Sequence, residues 1–304
     1  MDPMTESHSS ALPERSAEVF GQLRPLLFSI AYRMLGSVMD AEDMVQEAYL
    51  RWQEASDVDV RSPQAYLATV VTRLCINHLR SARVQRESYV GPWLPEPLVT
   101  AHIPDASGTV DLAESLSMAF LVLLERLSPT ERAVFLLHEV FDFEYPEIAR
   151  IVDKSEANCR QLLARAKKHV DAGHARFQAS PEKAEQLVER FSRAAGAGDL
   201  DDLLAMLAED ITLWPDGGGK ARGAALNPIH GRDAVARFVV GFTRRFIPLD
   251  RVTRPAEING QRGFISYVSG TPVAALVFDI RDDRIHTIYA LGNPDKLQSL
   301  PRTN

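Results

Sequence analysis

At 304 residues the chain has room for two or three domains. Hydrophobic residues make up 45% and charged residues 25%, ordinary globular values that exclude disorder over most of the length. The net charge of −7 argues against a general nucleic-acid binder, but that average hides segregation. Asp40–Asp59 holds seven acids against one arginine, whereas Arg73–Arg86 and Arg160–Lys168 each hold four basic residues and no acid. Such faces suit a chain that meets a basic partner and an anionic polymer together; solvated helix faces are the plainer reading. No apolar run approaches the roughly 20 residues of a membrane span, and no basic stretch leads into an apolar core at the start. The two cysteines, Cys75 and Cys159, sit among apolar neighbours in helical patterns. The expectation is a cytoplasmic protein with no membrane segment, no metal and no cofactor.

In chain order, residues 18–88 read as helical, with apolar residues at three- and four-residue spacing and Ser62-Pro63 opening a helix. Residues 89–110 read as a linker, because Gly91-Pro92-Trp93-Leu94-Pro95-Glu96-Pro97 cannot lie inside a helix. Trp93 and Leu94 call for an apolar surface to lie on. Residues 111–177 are helical again, with Ser128-Pro129-Thr130-Glu131 as a capping-box start. Residues 181–300 begin with helices and pass into β-type runs at 211–214, 252–258, 263–269, 273–280 and 284–290. Asn259-Gly260, Gly270-Thr271-Pro272 and Asp282-Asp283 are the hairpin signals. That order predicts an α+β domain with an antiparallel sheet, after two all-α domains.

Within 111–177, Tyr145–Ala149 is the end of one helix, Ile151–Lys154 a turn, and Ser155 the N-cap of the next helix. Ile148, Val152, Cys159 and Leu162 fall where two steeply crossing helices touch, the pattern of a helix-turn-helix. Asp153 stands where glycine is usual. In the second helix Cys159, Leu162, Leu163, Ala166 and Val170 form the inward stripe. Asn158, Gln161, Arg165 and Lys168 recur on the opposite face with Arg160 and Lys167 flanking, side chains able to read base edges in a major groove. In the first block, Arg73, Asn77 and Arg80 share a face able to hold phosphates and a base. Met44, Val45, Leu50 and Trp52 read as core packing.

Asp40-Ala41-Glu42-Asp43-Met44-Val45-Gln46-Glu47 through Trp52, Ser62 to Val71, and the arginines Arg73, Arg80, Arg83 and Arg86 resemble region 2 of the sigma-70 superfamily, in its extracytoplasmic-function branch. Leu127–Val170 resembles region 4 of the same proteins. The resemblance implies a promoter-specific initiation factor, not an enzyme. Asp40, Glu42, Asp43, Gln46 and Glu47 would bind core RNA polymerase at the β′ clamp helices, with the β subunit as a further partner. Arg73, Asn77, Arg80 and Arg83 would handle the −10 element, with a base pocket in the loop Ser56–Ser62. Ser155, Asn158, Arg160, Gln161, Arg165 and Lys168 would handle the −35 element. The C-terminal block resembles the SnoaL-like branch of the NTF2-like cone.

Trp93-Leu94-Pro95-Glu96-Pro97, Asp216-Gly217-Gly218-Gly219-Lys220 and Asn293-Pro294-Asp295-Lys296-Leu297 match the subgroup of sigma factor J type. In that subgroup the cone takes the regulatory role, and the resemblance implies no dedicated anti-sigma partner. The expected arrangement docks the linker on 216–220, with Lys220 meeting Glu96 and 293–297 closing the same region. The alternative is a sigma-like module fused to a small-molecule-binding or enzymatic cone. Asp216, His230 and His286 would then be its acid/base candidates, and Trp214, Tyr267 and Tyr289 its lining. A ligand-sensing factor without polymerase leaves the Asp40–Trp52 motif unused. Gly217–Lys220 lacks Walker spacing and is no phosphate loop.

Overall fold

The structure is a computed structural model and describes residues 11–55, 60, 62–100, 115–171, 180–246, 248 and 250–303. The chain divides into two compact units, Met1–Arg83 with Leu123–Ala172, and Val84–Val122 with Gly173–Asn304.

The first unit is helical. Helix α1 (Ala11–Leu35) packs on α2 (Val38–Ala55), which buries Ala41, Val45, Ala48 and Trp52 at helical spacing. The Trp52 indole donates to the Ser16 carbonyl at 2.9 Å, so its polar atom is satisfied in the core. Helix α3 (Pro63–Glu87) starts on Ser62, whose hydroxyl accepts from the Ala65 amide, and buries Leu67, Val71, Cys75 and Leu79. After α4 (Met118–Leu124), helix α5 (Pro129–Glu139) has the predicted capping box of Ser128 and Glu131. Arg132 of α5 is 2% exposed and donates to the Met34 carbonyl of α1 at 2.6 Å and to Glu125 at 2.7 Å, which ties the early and late helices of this unit together.

Helix α6 is Tyr145–Val152 and α7 is Glu156–Asp171, so the first helix of the pair runs three residues beyond Ala149. Asp153 takes the left-handed conformation at φ 54°, which its short polar side chain tolerates. The Ser155 hydroxyl accepts from the Asn158 amide at 3.2 Å.

The second unit follows with α8 (Pro181–Ala197), α9 (Leu200–Met206), β1 (Leu207–Asp216), β2 (Ile229–His230), α10 (Arg232–Phe246), β3 (Val252–Ile258), β4 (Gln261–Val268), β5 (Thr271–Arg281) and β6 (Arg284–Leu291). The sheet order is β2-β1-β6-β5-β4-β3. It is mixed rather than antiparallel throughout: β1 runs parallel to β6, because β2, helix α10 and strands β3 to β5 intervene and β6 returns to the sheet beside β1. Asn259-Gly260, Ser269-Gly270 and Asp282-Asp283 all have positive φ, as tight primed hairpin turns require. The middle turn lies one residue earlier than predicted, and Thr271 already pairs with Val268.

The sheet is apolar on both faces. Phe264, Phe278 and Ile288 join Phe191, Leu203 and Val235 on the helix side. Their strand neighbours Ile265, Val277 and Tyr289 point the other way. That second face is covered by Leu94 and Met118 from the segment 84–122 and by Leu297 and Leu300. Val99 forms a bridge with Ile258 at the sheet edge, where Asn259 accepts from the Leu98 amide and donates to the Leu116 carbonyl. Among the described residues no helix is long and apolar enough to cross a membrane.

Candidate functional site

On α2, burying Ala41, Val45, Ala48 and Trp52 turns the opposite side to solvent. Met39 (51% exposed), Asp43, Gln46 and Leu50 (47% exposed) form one stripe at 4-3-4 spacing. Leu50 is therefore not core: Trp52 and Ala48 take the inward positions, and Leu50 falls on the far side. Three other acids of this helix have charged neighbours. Glu42 pairs with Arg24 of α1, Glu47 with Arg51 at 2.9 Å, and Asp40 lies 3.5 Å from His78. Asp43 and Gln46 carry no ion pair or side-chain hydrogen bond among the described residues.

Arg73, Asn77 and Arg80 lie exposed on one face of α3. Arg73 is already engaged: its Nε donates to the Ile151 carbonyl at 2.9 Å and its Nη2 to the Arg150 carbonyl at 2.8 Å. These carbonyls end α6, so the guanidinium neutralises the negative pole of that helix. The side chains of Arg83 and Arg86, and most of the loop Ser56–Ser62, lie outside the described residues.

On α7 the division of faces is clean. Cys159, Leu163, Ala166 and Val170 are buried and Leu162 half-buried, while Asn158, Arg160, Gln161, Arg165 and Lys168 are exposed. Arg160 pairs with Glu156 at 3.0 Å and lies 4.6 Å over the Tyr145 ring; Lys167 pairs with Glu139 at 2.8 Å. Arg165 and Lys168 have no ion-pair partner among the described residues.

In the second unit Asp216 ends β1 at 1% exposure. One carboxylate oxygen accepts from the Leu94 amide at 2.8 Å and from Lys296 Nζ at 2.7 Å, and the other accepts from the Tyr89 hydroxyl. Lys296, itself buried, also donates to the Leu94 carbonyl and lies 4.2 Å from the Trp93 ring and 4.8 Å from the Tyr89 ring. Asn293 Nδ2 donates to the Tyr89 oxygen at 2.8 Å, and the Gly292 and Asn293 amides donate to the Asp216 carbonyl. Burial first, and then its hydrogen bond to Asp216, pushes the Tyr89 phenol above its ordinary range. Gly218 sits at φ 57°, and a Cβ there would fall 2.3 Å from Asn293 Nδ2, so the glycine is what lets these loops meet. Asn293 caps the short 3-10 turn Pro294–Leu297, and Leu297 enters the apolar cluster beneath the linker.

Three motifs distant in sequence thus meet around one carboxylate. Lys220, however, pairs with Asp295 rather than with Glu96, because the turn after Asn293 brings Asp295 to its side while Glu96 is itself buried. Tyr89 falls outside the three motifs, and its signal in the sequence is an aromatic residue just ahead of the proline run.

The acid/base candidates do not converge. His230 is exposed beside Thr212 at 3.1 Å, and His286 lies 3.6 Å from Asp210. Asp216 is enclosed by its own donors. Tyr267 and Tyr289 are buried in the cluster with Leu94 and Met118, and Trp214 packs against it. Among the described residues no group of three His, Cys, Asp or Glu side chains is placed to hold a metal ion.

Known proteins share these parts. Residues 19–84 match the model of sigma-70 region 2, residues 117–170 that of sigma-70 region 4, and residues 188–288 that of the SnoaL-like domain. The ECF RNA polymerase sigma factor SigJ of Mycobacterium tuberculosis is 40% identical over 296 residues, 93% of each chain. The probable ECF RNA polymerase sigma factor SigI of that organism is 31% identical, covering 91% of this chain and 93% of its own. The crystal structure of M. tuberculosis SigJ superposes with a TM-score of 0.75 at 36% identity, covering 94% of this chain and all of the other.

Proposed function

The chain belongs to the extracytoplasmic-function sigma factors that carry a C-terminal SnoaL-like domain, and from that premise we propose how its surfaces share promoter-specific initiation. Its sigma regions serve transcription initiation with RNA polymerase at promoters. The working segments are 18–88 for core and −10 contacts, 111–177 for the −35 element and 181–300 for regulation, joined by 89–110.

The α2 stripe is the docking surface for core polymerase. The observation that carries this is two large apolar side chains, Met39 and Leu50, left in water on either side of Asp43 and Gln46. An apolar stripe with an unpaired acid at its centre fits a basic partner surface with apolar contacts, such as the β′ clamp helices. Asp40, Glu42 and Glu47 lie beside the stripe and complete the docking surface, exchanging their present partners for basic residues of the polymerase. Arg73, Asn77, Arg80 and Arg83 serve the −10 element, and the exposed face of α7, from Ser155 through Asn158, Arg160, Gln161 and Arg165 to Lys168, serves the −35 element.

The SnoaL-like domain regulates through the linker rather than catalysing a reaction. Supporting this, Asp216 spends its carboxylate on the linker and on Lys296, and the tyrosines a ligand would need are packed under Leu94. Changing Asp43→Lys together with Leu50→Ala tests the docking surface. Capture of core polymerase in a pull-down should fall by about tenfold or more with helicity unchanged. Undiminished capture refutes the assignment.

A further inference from the structure

A cavity of about 510 Å³ lies within the first unit, between α3 and the turn that follows α6. Arg73, Asn77 and Arg80 line it from α3; Asp153 and Lys154 line it from the turn, and Thr130 from the start of α5. We infer that this cavity binds a small phosphorylated ligand carrying a di- or triphosphate.

Three cations line the cavity against one carboxylate. Arg80 and Lys154 have no ion-pair partner among the described residues, so the cavity wall carries uncompensated positive charge. A polyanion compensates that charge, whereas a single carboxylate would neutralise only one of the three cations. Arg73 adds preorganisation. Its bonds to the Arg150 and Ile151 carbonyls fix the guanidinium and cancel the negative end of α6, which would otherwise oppose an anion at this position. The Asn77 amide and the Thr130 hydroxyl supply neutral donors to the remaining oxygens. The volume is that of a nucleotide-sized ligand and far too small for a duplex.

The test is calorimetric titration of the full chain at low salt with inorganic triphosphate, with ATP, and with adenosine as control. Triphosphate and ATP should bind and adenosine should not. Lys154→Ala, a change in an exposed turn, should weaken triphosphate binding by about tenfold, and Lys168→Ala on the far face of α7 should leave it unchanged. No binding at millimolar triphosphate overturns the inference, as does equal binding by the Lys154→Ala chain. If Lys154→Ala weakens promoter DNA while triphosphate never binds, the cavity is part of the DNA surface and the inference fails. Competition between triphosphate and a −10 strand rests on the roles proposed for Asn77 and Arg80; binding itself does not. Triphosphate that binds without displacing DNA therefore upholds the site and refutes those roles.

Discussion

Removing the ammonium of Lys296 would leave Asp216 as a buried carboxylate without its counter-charge, since the two side chains are 7% and 0% exposed. Breaking a buried pair from one side costs roughly 3–5 kcal/mol, so Lys296→Met should lower the unfolding free energy of the second unit by about that much. Urea denaturation measures it, and pairing Lys296→Met with Asp216→Leu should recover a large part. Tyr89 adds a pH dependence. Its folded-state value is raised, so the folded protein holds that proton more tightly than the unfolded chain. The stability it contributes is present below the unfolded value of about 10 and is lost as pH rises beyond it. Tyr89→Phe should flatten that alkaline decline in thermal melts; an unchanged slope would exclude Tyr89 as the titrating group. The identities of Trp93, Leu94, Asp216, Asn293 and Lys296 were legible as odd residues in short motifs. Their partners were not, because Lys220 with Asp295 rather than Glu96 depends on how two loops fold back across the sheet.

Helix α7 shows where local signals suffice. Its cap, its buried stripe and its polar face follow from spacing alone, and the structure reproduces them apart from the half-burial of Leu162. Arg165 lies opposite Leu163 and Ala166, so Arg165→Ala should leave the fold intact. A good base contact is worth about 1–3 kcal/mol, which predicts a roughly 5- to 150-fold loss of −35 selectivity in competition binding. Equal loss on all sequences would make it a phosphate contact instead. Helix α2 was less legible. Leu50 in an apolar-periodic helix reads as core, and only the packing of Ala48 and Trp52 shows that its face is the outward one. The direction of β1 was likewise hidden, since strand pattern carries no information on which distant strand it joins.

At the scale of the molecule, Leu94 and Val99 pack with the C-terminal sheet although their segment lies between the two sigma regions in sequence. Proline content marks that segment as a connector but cannot show that Leu94 and Met118 complete a sheet face more than a hundred residues away. A chain ending before α8 would lose the surface that buries both side chains. We expect such a truncation to be cleaved rapidly in the 89–100 segment by a broad-specificity protease and to self-associate on size exclusion. A monomeric truncation with a protected linker would contradict this packing. Arg132 and Arg73 join the early and late helices of the first unit in the same long-range way, through backbone carbonyls that no side-chain pattern announces.

The span from Leu94 to Lys296 also sets an order of events on the ribosome. The lysine is made 202 residues after the leucine. At about 5–20 residues per second, that separates them by roughly 10–40 s of synthesis. Every helix of the first unit has been translated by Asp171, before any strand of the sheet. The nascent chain therefore carries the α2 stripe and the α7 face before Asp216 and Lys296 can hold the linker, and both sigma regions are translated ahead of the sheet that packs on their connector.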